Sequence, residues 1–298
     1  MNTLQKILVA IDFSETSANL LKHVARIAGW NDAEIHVIHV IPEGVLRHRA
    51  GTHRDENPGR LQEAAESTMT DCLAAAGLAG VPAAQIVVIG SPADCIVEEA
   101  ARLGADLLVL SAHDKGKKRL GSVASQCVRR AGCKTLLVRD WQAGNFEHIA
   151  ACIDFSALSE SVLRNALRVA RSDHATLELL HVIYPVDLDY YNYKADFGTK
   201  SQKEFRAATM EAVESSIETL KSTLADDLRG VDVRTTILES GSPAEAITDH
   251  VREKGHDLVV MGTTGRARAF GLHFGSNAEG LMHDASCSVL AVKPPAEE

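Results

Sequence analysis

Three glycines and a serine near the C-terminus are the residues of this chain best suited to chemistry. The sequence there reads MGTTGRARAFGLHFGSNAE, with two residues between Gly262 and Gly265 and nine more before Gly275-Ser276. Glycine adopts positive φ readily and puts no side chain between its backbone N–H and a ligand, so a loop spaced this way can wrap a polyphosphate. Ser276 is placed to cap a following helix, whose N-terminus adds partial positive charge, and Arg266 and Arg268 add counter-charge. A second polar group is needed to hold the rest of a nucleotide. Asp154 ends a predicted strand, where it would accept hydrogen bonds from an adenine amino group or a ribose, and the apolar Val182 would flank the base.

Positioning these residues is the task of a duplicated unit. KILVAIDFSETSANLLKHVARIA, from Lys6, returns as HIAACIDFSALSESVLRNALRVA from His148, so Asp12 matches Asp154, Ser14 matches Ser156 and His39 matches His181. GSPADCIVEEAARLGADLLVLS from Gly90 returns as GSPAEAITDHVREKGHDLVVMG from Gly241. A chain of 298 residues suits two domains, and the repeat sets the boundary near Trp141–Phe146, giving domains 1–143 and 144–298.

Short β-branched runs alternate with helical patterns in each copy, which is the signature of βαβ units around a parallel sheet. The predicted strands are Lys6–Asp12, Glu34–Val40, Gln85–Ile89, Asp106–Ser111 and Thr135–Arg139, then His148–Asp154, Thr176–Val182, Asp232–Leu238, Asp257–Gly262 and Ser288–Lys293. Ser91 and Ser242 are expected helix N-caps, each followed by proline and then by a capping acid, Asp94 or Glu245. In an open α/β sheet ligands bind beyond the C-terminal strand ends, where the strand order reverses. With the order 3-2-1-4-5, Asp154 and Gly262 face each other across that crevice.

A net charge of -9 and a pI near 5.8 argue against nucleic-acid and anionic-membrane surfaces. No apolar run reaches the ~18 residues that cross a bilayer, and the first residues pass directly into a strand, so a cytoplasmic protein is expected. The six cysteines contain no CxxC and are read as buried thiols. Two polar inserts, Gly44–Arg60 and Val186–Lys200, differ between the copies. His48 and His53 in the first lack a third ligand, and Asp187 and Asp189 in the second lack the glycine and distal glutamate of a calcium loop, so no metal site is expected.

The glycine spacing, the Asp-Phe-Ser after the first strand and the LHV ending the second resemble the universal stress protein family in its tandem two-domain form. The similarity covers essentially the whole chain, once per half. It implies two five-stranded parallel α/β domains of the adenine-nucleotide alpha-hydrolase-like kind. It also implies ATP as ligand, with or without a magnesium ion beside it, held by Asp154, Val182, Met261, Gly262, Gly265, Gly275 and Ser276. Single-domain members pair through their last strands, so the strands around Leu136 and Leu290 are expected to meet as an intrachain pseudo-dimer, which leaves two chains free to associate as a homodimer. Asn277 departs from the small apolar residue usual after the serine, and RARAFGLHF from the usual arginine- and leucine-rich stretch.

The first copy departs further. Its stretch SAHDKGKKRLGSVAS puts Ser111 in place of Gly262 and Asp114 in place of Gly265, with six residues before Gly121-Ser122. A carboxylate repels phosphate, and a β-carbon at positive φ costs about 1 kcal/mol or more. Lys115, Lys117, Lys118 and Arg119 are read as a solvated basic tip, with an anion held by charge alone as the alternative, while Asp12, Gly121 and Ser122 read as retained scaffold. The expectation is therefore a nucleotide-binding stress-response module with a degenerate first half. Neither a Walker lysine nor an acid pair for magnesium is evident, so at most slow ATP hydrolysis is expected. Two alternatives are a scaffold holding a small apolar ligand instead of nucleotide, and an adenylyl-transfer enzyme, which would need an HxGH or SGG motif where Asp-Phe-Ser stands.

Overall fold

The computed structural model describes residues 4–44, 58–112, 120–139, 144–185, 202–265 and 274–294. The first half contains strands β1 (Lys6–Ala10), β2 (Glu34–Pro42), β3 (Ala83–Gly90), β4 (Leu107–Ser111) and β5 (Lys134–Val138). Its helices are α1 (Ser17–Gly29), α2 (Pro58–Ala75), α3 (Pro92–Leu103) and α4 (Ser122–Arg130). The second half repeats the pattern with β6 (His148–Cys152), β7 (Thr176–Ile183), β8 (Val233–Glu239), β9 (Leu258–Gly262) and β10 (Ser288–Val292). Helices α5 (Ser159–Asp173), α6 (Gln202–Thr223), the short α7 (Ala225–Leu228), α8 (Pro243–Lys254) and α9 (Ser276–Asp284) accompany them. All ten predicted strands form within about two residues of the expected limits. Asp12 and Asp154, expected at strand ends, lie two residues beyond β1 and β6.

The strand order β3-β2-β1-β4-β5-β10-β9-β6-β7-β8 is the expected 3-2-1-4-5 in each half, joined into one sheet. Every pairing within a half is parallel, and the joint is antiparallel, with Leu137 opposite Val289, Leu136 opposite Leu290 and Thr135 opposite Ala291. Alternation along the strands sends successive side chains to opposite faces. Ile7, Val9, Leu136, Ile149, Leu258 and Leu290 join one core, under α1, α2, α5 and α6. Leu8, Leu137, Ala150, Val259 and Val289 join the other, under α3, α4, α8 and α9. Each core therefore runs through both halves.

Helices α3 and α8 start where the sequence says. Ser91 and Ser242 are the N-caps with proline next, and Gly104 and Gly255 end the helices at φ 61° and 71°, the left-handed region that favours glycine. Neither serine side chain bonds to a helix N–H, contrary to expectation. Instead Asp94 hydrogen-bonds Ser91 and pairs with Arg130 at 2.5 Å, which together hold its carboxyl below the usual range. Of the cysteines, Cys127 and Cys287 are buried, the other four are half-buried, and all six are free thiols. His48, His53, Asp187 and Asp189 lie outside the described residues, and no metal-binding cluster occurs among those described. No helix among the described residues is long and apolar enough to cross a membrane.

The halves also meet through side chains around α1. Arg26 pairs with the buried Asp173 at the end of α5, and its guanidinium lies 5.4 Å from the centroid of the Phe146 ring. His23, also buried, stacks on Phe146 with ring centroids 6.0 Å apart. Burial, and then the neighbouring Arg26, push the pKa of His23 down to about 3. The unfolded chain takes up this proton near the ordinary 6.5, and the folded protein does so only near 3. Between those values acid therefore favours unfolding, by ~1.4 kcal/mol per pH unit from this group. Urea unfolding at pH 7 and pH 4.5 should show a smaller acid-induced loss of stability in His23→Leu than in the parent, and an equal loss would exclude this origin.

Candidate nucleotide site

Asp154 is held by a turn that the Asp-Phe-Ser sequence builds on itself. Its Oδ1 accepts hydrogen bonds from the Ser156 N–H (3.0 Å) and the Ser159 hydroxyl (3.3 Å). The turn puts Phe155 at φ 56°, a left-handed conformation that a bulky residue rarely adopts. Its ring packs on His181 at 4.6 Å between centroids, and the His181 Nδ1–H donates to the Ile153 carbonyl at 2.8 Å. The first half repeats this geometry. Phe13 has φ 57°, its ring stacks on His39 at 3.9 Å, and His39 Nδ1 reaches the Ile11 carbonyl at 2.9 Å. The repeated histidine was visible in the sequence, but its role in fixing the strained phenylalanine was not.

The glycine loop begins where β9 ends. The Thr263 N–H bonds the Val292 carbonyl, and the Gly275 N–H bonds the Thr263 carbonyl at 2.9 Å, so the excursion leaves and returns at one place. None of Gly262, Gly265 and Gly275 has positive φ, which corrects the expectation that backbone conformation selects them. Space selects two of them. A β-carbon at position 262 would lie 3.2 Å from Leu158 Cδ1, and one at position 265 would lie 2.7 Å from Asp154 Oδ2. At Gly275 an added β-carbon meets only ordinary contacts, one of them the Gly265 nitrogen at 3.8 Å. Gly275 itself is the N-cap of α9 and Ser276 is the first helical residue, the reverse of the expected capping role.

The predicted residues thus converge in part. Asp154, Gly265 and Gly275 are neighbours, with Gly262 at the strand end below them and Ser276 at the start of α9. Val182, half-buried on β7, and Met261, buried on β9, both belong to the core on the α8–α9 face. Arg266 and Arg268 lie outside the described residues. Two polar atoms near the loop, Ser156 Oγ and Thr263 Oγ1, are buried without a hydrogen-bond partner among the described residues. Burying a hydroxyl unpaired is costly, so such atoms fit a site that expects a polar ligand.

A family model for the universal stress protein family matches residues 3–139 and again 145–293. The chain belongs to the universal stress protein family. It is 30% identical to universal stress protein MJ0531 of Methanocaldococcus jannaschii over 155 residues, which is 51% of this chain and 85% of that one. It is 24% identical to the universal stress protein E homolog of Haemophilus influenzae over 229 residues, 70% of this chain and 69% of the relative. The solved universal stress protein from Archaeoglobus fulgidus DSM 4304 superposes with a TM-score of 0.67 at 20% identity, covering 98% of this chain and 99% of that one. The tandem arrangement of the fold is therefore matched along nearly its full length.

The close approach of Gly265 to Asp154 generates a test. The carboxylate cannot turn aside freely, because its other oxygen is tied to Ser156 and Ser159. Gly265→Ala should therefore cost about 1–2 kcal/mol, the value of those displaced bonds. In an Asp154→Ala background the same substitution should cost less than about 0.5 kcal/mol. Chemical denaturation of the four proteins of this cycle measures the difference, and additive costs would show that the two residues are not coupled.

Proposed function

We propose that the second half, residues 144–298, binds ATP and that the first half, residues 1–143, supports it, making the chain a nucleotide-dependent regulatory module of a cytoplasmic stress response. One observation carries this reading: Asp154 Oδ2 lies against Gly265, which is itself beside Gly275 at the start of α9. Asp154, Val182 and Met261 hold the nucleoside end of the ligand. The side-chain-free backbone at Gly262, Gly265 and Gly275 takes the phosphates, together with the Ser276 hydroxyl and the first N–H groups of α9, which have no acceptor within the helix. This matches the role that the family resemblance implies for the same spacing. A magnesium ion would be carried by the phosphates, since the proposed contacts include a single carboxylate.

The reading assigns binding and not turnover, with hydrolysis at most slow. Binding of ATP fixes the loop and so changes what the surface around it presents to a partner. The two halves, joined through β5 and β10, act as a pseudo-dimer within one chain, and a homodimer of chains would build on it.

Isothermal titration of the full chain with ATP tests the proposal. Saturable binding at one site is expected. Asp154→Ala should weaken it about tenfold by removing a hydrogen-bonding carboxylate. Gly265→Asp should weaken it at least about a hundredfold by placing a charge against the phosphates. The absence of ATP binding in the parent, or an unchanged affinity in Gly265→Asp, would overturn it.

A further inference from the structure

The end of the glycine loop in the second half is gripped by a side chain of the first. Phe274 immediately precedes Gly275, the N-cap of α9. Two cations meet its half-buried ring. The guanidinium of Arg129, in the last turn of α4, lies 5.1 Å from the ring centroid, and the ammonium of Lys293, just past β10, lies 5.8 Å from it. Both fall within the ~6 Å over which an aromatic face attracts a cation. Arg129 also forms an ion pair with Glu279 in the first turn of α9, and its carbonyl accepts from the Lys293 ammonium at 3.2 Å. One residue of the first half thus touches both the residue before the helix cap and the turn after it.

The duplication shows that this clamp is built on one side of the joint only. The equivalents of Arg129, Phe274, Glu279 and Lys293 are His283, Leu120, Ser125 and Arg139. The backbone part recurs, since Arg139 donates to the His283 carbonyl at 3.4 Å as Lys293 does to that of Arg129. The side-chain part does not recur, because Leu120 has no aromatic face and Ser125 no carboxylate to hold a cation. Closing the joint therefore does not require the clamp. The added layer falls on the half that keeps the glycine spacing, and on the end of the loop that carries the helix N-terminus.

We propose, building on the reading of the second half as an ATP site, that Arg129 is a positioning residue for it: through Phe274 and Glu279 the first half fixes the end of the glycine loop and the start of α9. An ion pair between partly exposed side chains and a cation over a ring each add little to global stability, and a fold with two continuous cores does not depend on them. A loop end does. If the cap and first turn of α9 are already in place, a phosphate that meets the first N–H groups of the helix does not have to order them, and binding is tighter by that saved entropy. Arg129 acts through Phe274 and Glu279, without contacting the ligand.

Two measurements on the full chain test this. Hydrogen exchange of the unliganded protein follows the amides of Gly275 and Glu279, which donate to the Thr263 and Gly275 carbonyls. Arg129→Ala should speed both about three- to tenfold and leave the amides of β5 and β10 at the joint unchanged. Calorimetry should show this variant binding ATP about three- to tenfold more weakly at an unchanged urea midpoint, with Arg129→Lys recovering most of the loss. Phe274→Leu should weaken ATP by a similar factor, and together with Arg129→Ala it should cost less than the product of the two factors, because both break one contact. Unchanged exchange in Arg129→Ala overturns the proposal, as does unchanged affinity where the parent binds ATP. Losses that simply multiply also overturn it, since the guanidinium would then act by its charge at a distance and not through Phe274. If the parent binds no ATP while Arg129→Ala still frees the two amides, the ATP reading fails and the clamp on the loop stands.

Discussion

The antiparallel joint between β5 and β10 is the contact from which the rest of the architecture follows. Three residue pairs make it, centred on Leu136 and Leu290, and both strands are almost wholly buried. Without the joint each half would end in an apolar strand edge with unpaired backbone groups, a surface that invites association. Pairing removes both edges at once and makes the two cores continuous across the molecule. It also fixes where the two strand-end crevices face. Strands in the two halves run in opposite directions, so their C-terminal ends, and the crevices beyond them, open on opposite edges of the ten-stranded sheet. The two crevices therefore lie apart, and each can diverge without disturbing the other.

Side chains lock the joint in a nearly symmetric way. Arg139, just past β5, donates to the Met282 and His283 carbonyls at the end of α9, and Lys293, just past β10, reaches the Arg129 carbonyl at the end of α4 at 3.2 Å. Each half thus sends a cation to the C-terminal end of the other half's last helix, where the exposed carbonyls and the helix dipole favour positive charge. Burial lowers the Lys293 pKa to about 8, so this ammonium stays charged at neutral pH with little margin. The symmetry is incomplete elsewhere. Arg26 has Asp173 as its partner, while at the equivalent positions Arg168 faces a half that has Asn31 in place of the aspartate. Asp173 also accepts the Phe146 N–H at 3.0 Å, which ties the chain entering β6 to the same ion pair.

The sheet was legible because its strands are short, continuous, β-branched runs bounded by turn residues, and because the repeat allowed each to be read twice. Helix starts at Pro92 and Pro243 were equally plain. The site was only half legible. Spacing pointed to Gly262, Gly265 and Gly275, but one of the two reasons offered, positive φ, does not hold. That strain is carried by Phe13 and Phe155, residue types that do not announce a turn. What requires glycine at 265 is an oxygen of Asp154, far away in sequence, and no local pattern encodes such a contact. The interchange of Glu178 and His250 with His36 and Glu99 was also invisible. Glu178 accepts from His250 at 3.0 Å, and Glu99, whose pKa is lowered first by its hydrogen bond from Arg102, is also favoured in its charged form by His36, so an acid and an imidazole face each other between β2 or β7 and the helix over it with their places swapped.

Duplication explains why the halves differ where they do. The Asp-Phe-Ser turn, its histidine anchor and the bond that closes the loop recur in both, with Gly121 N–H to Ala112 carbonyl matching Gly275 N–H to Thr263 carbonyl, each at 2.9 Å. These features hold the crevice open whatever enters it, so they are constrained by folding. The other residues around the crevice are not under that constraint, and they have changed in compatible groups. Thr16 with Ser111 replaces Leu158 with Gly262, because serine at a strand end beneath leucine would crowd it. Asp114 with a shorter loop replaces Gly265 with a longer one. In the second half the glycine is needed because Asp154 occupies the space of its side chain. An aspartate at position 265 would set two carboxylates against each other, which the glycine avoids.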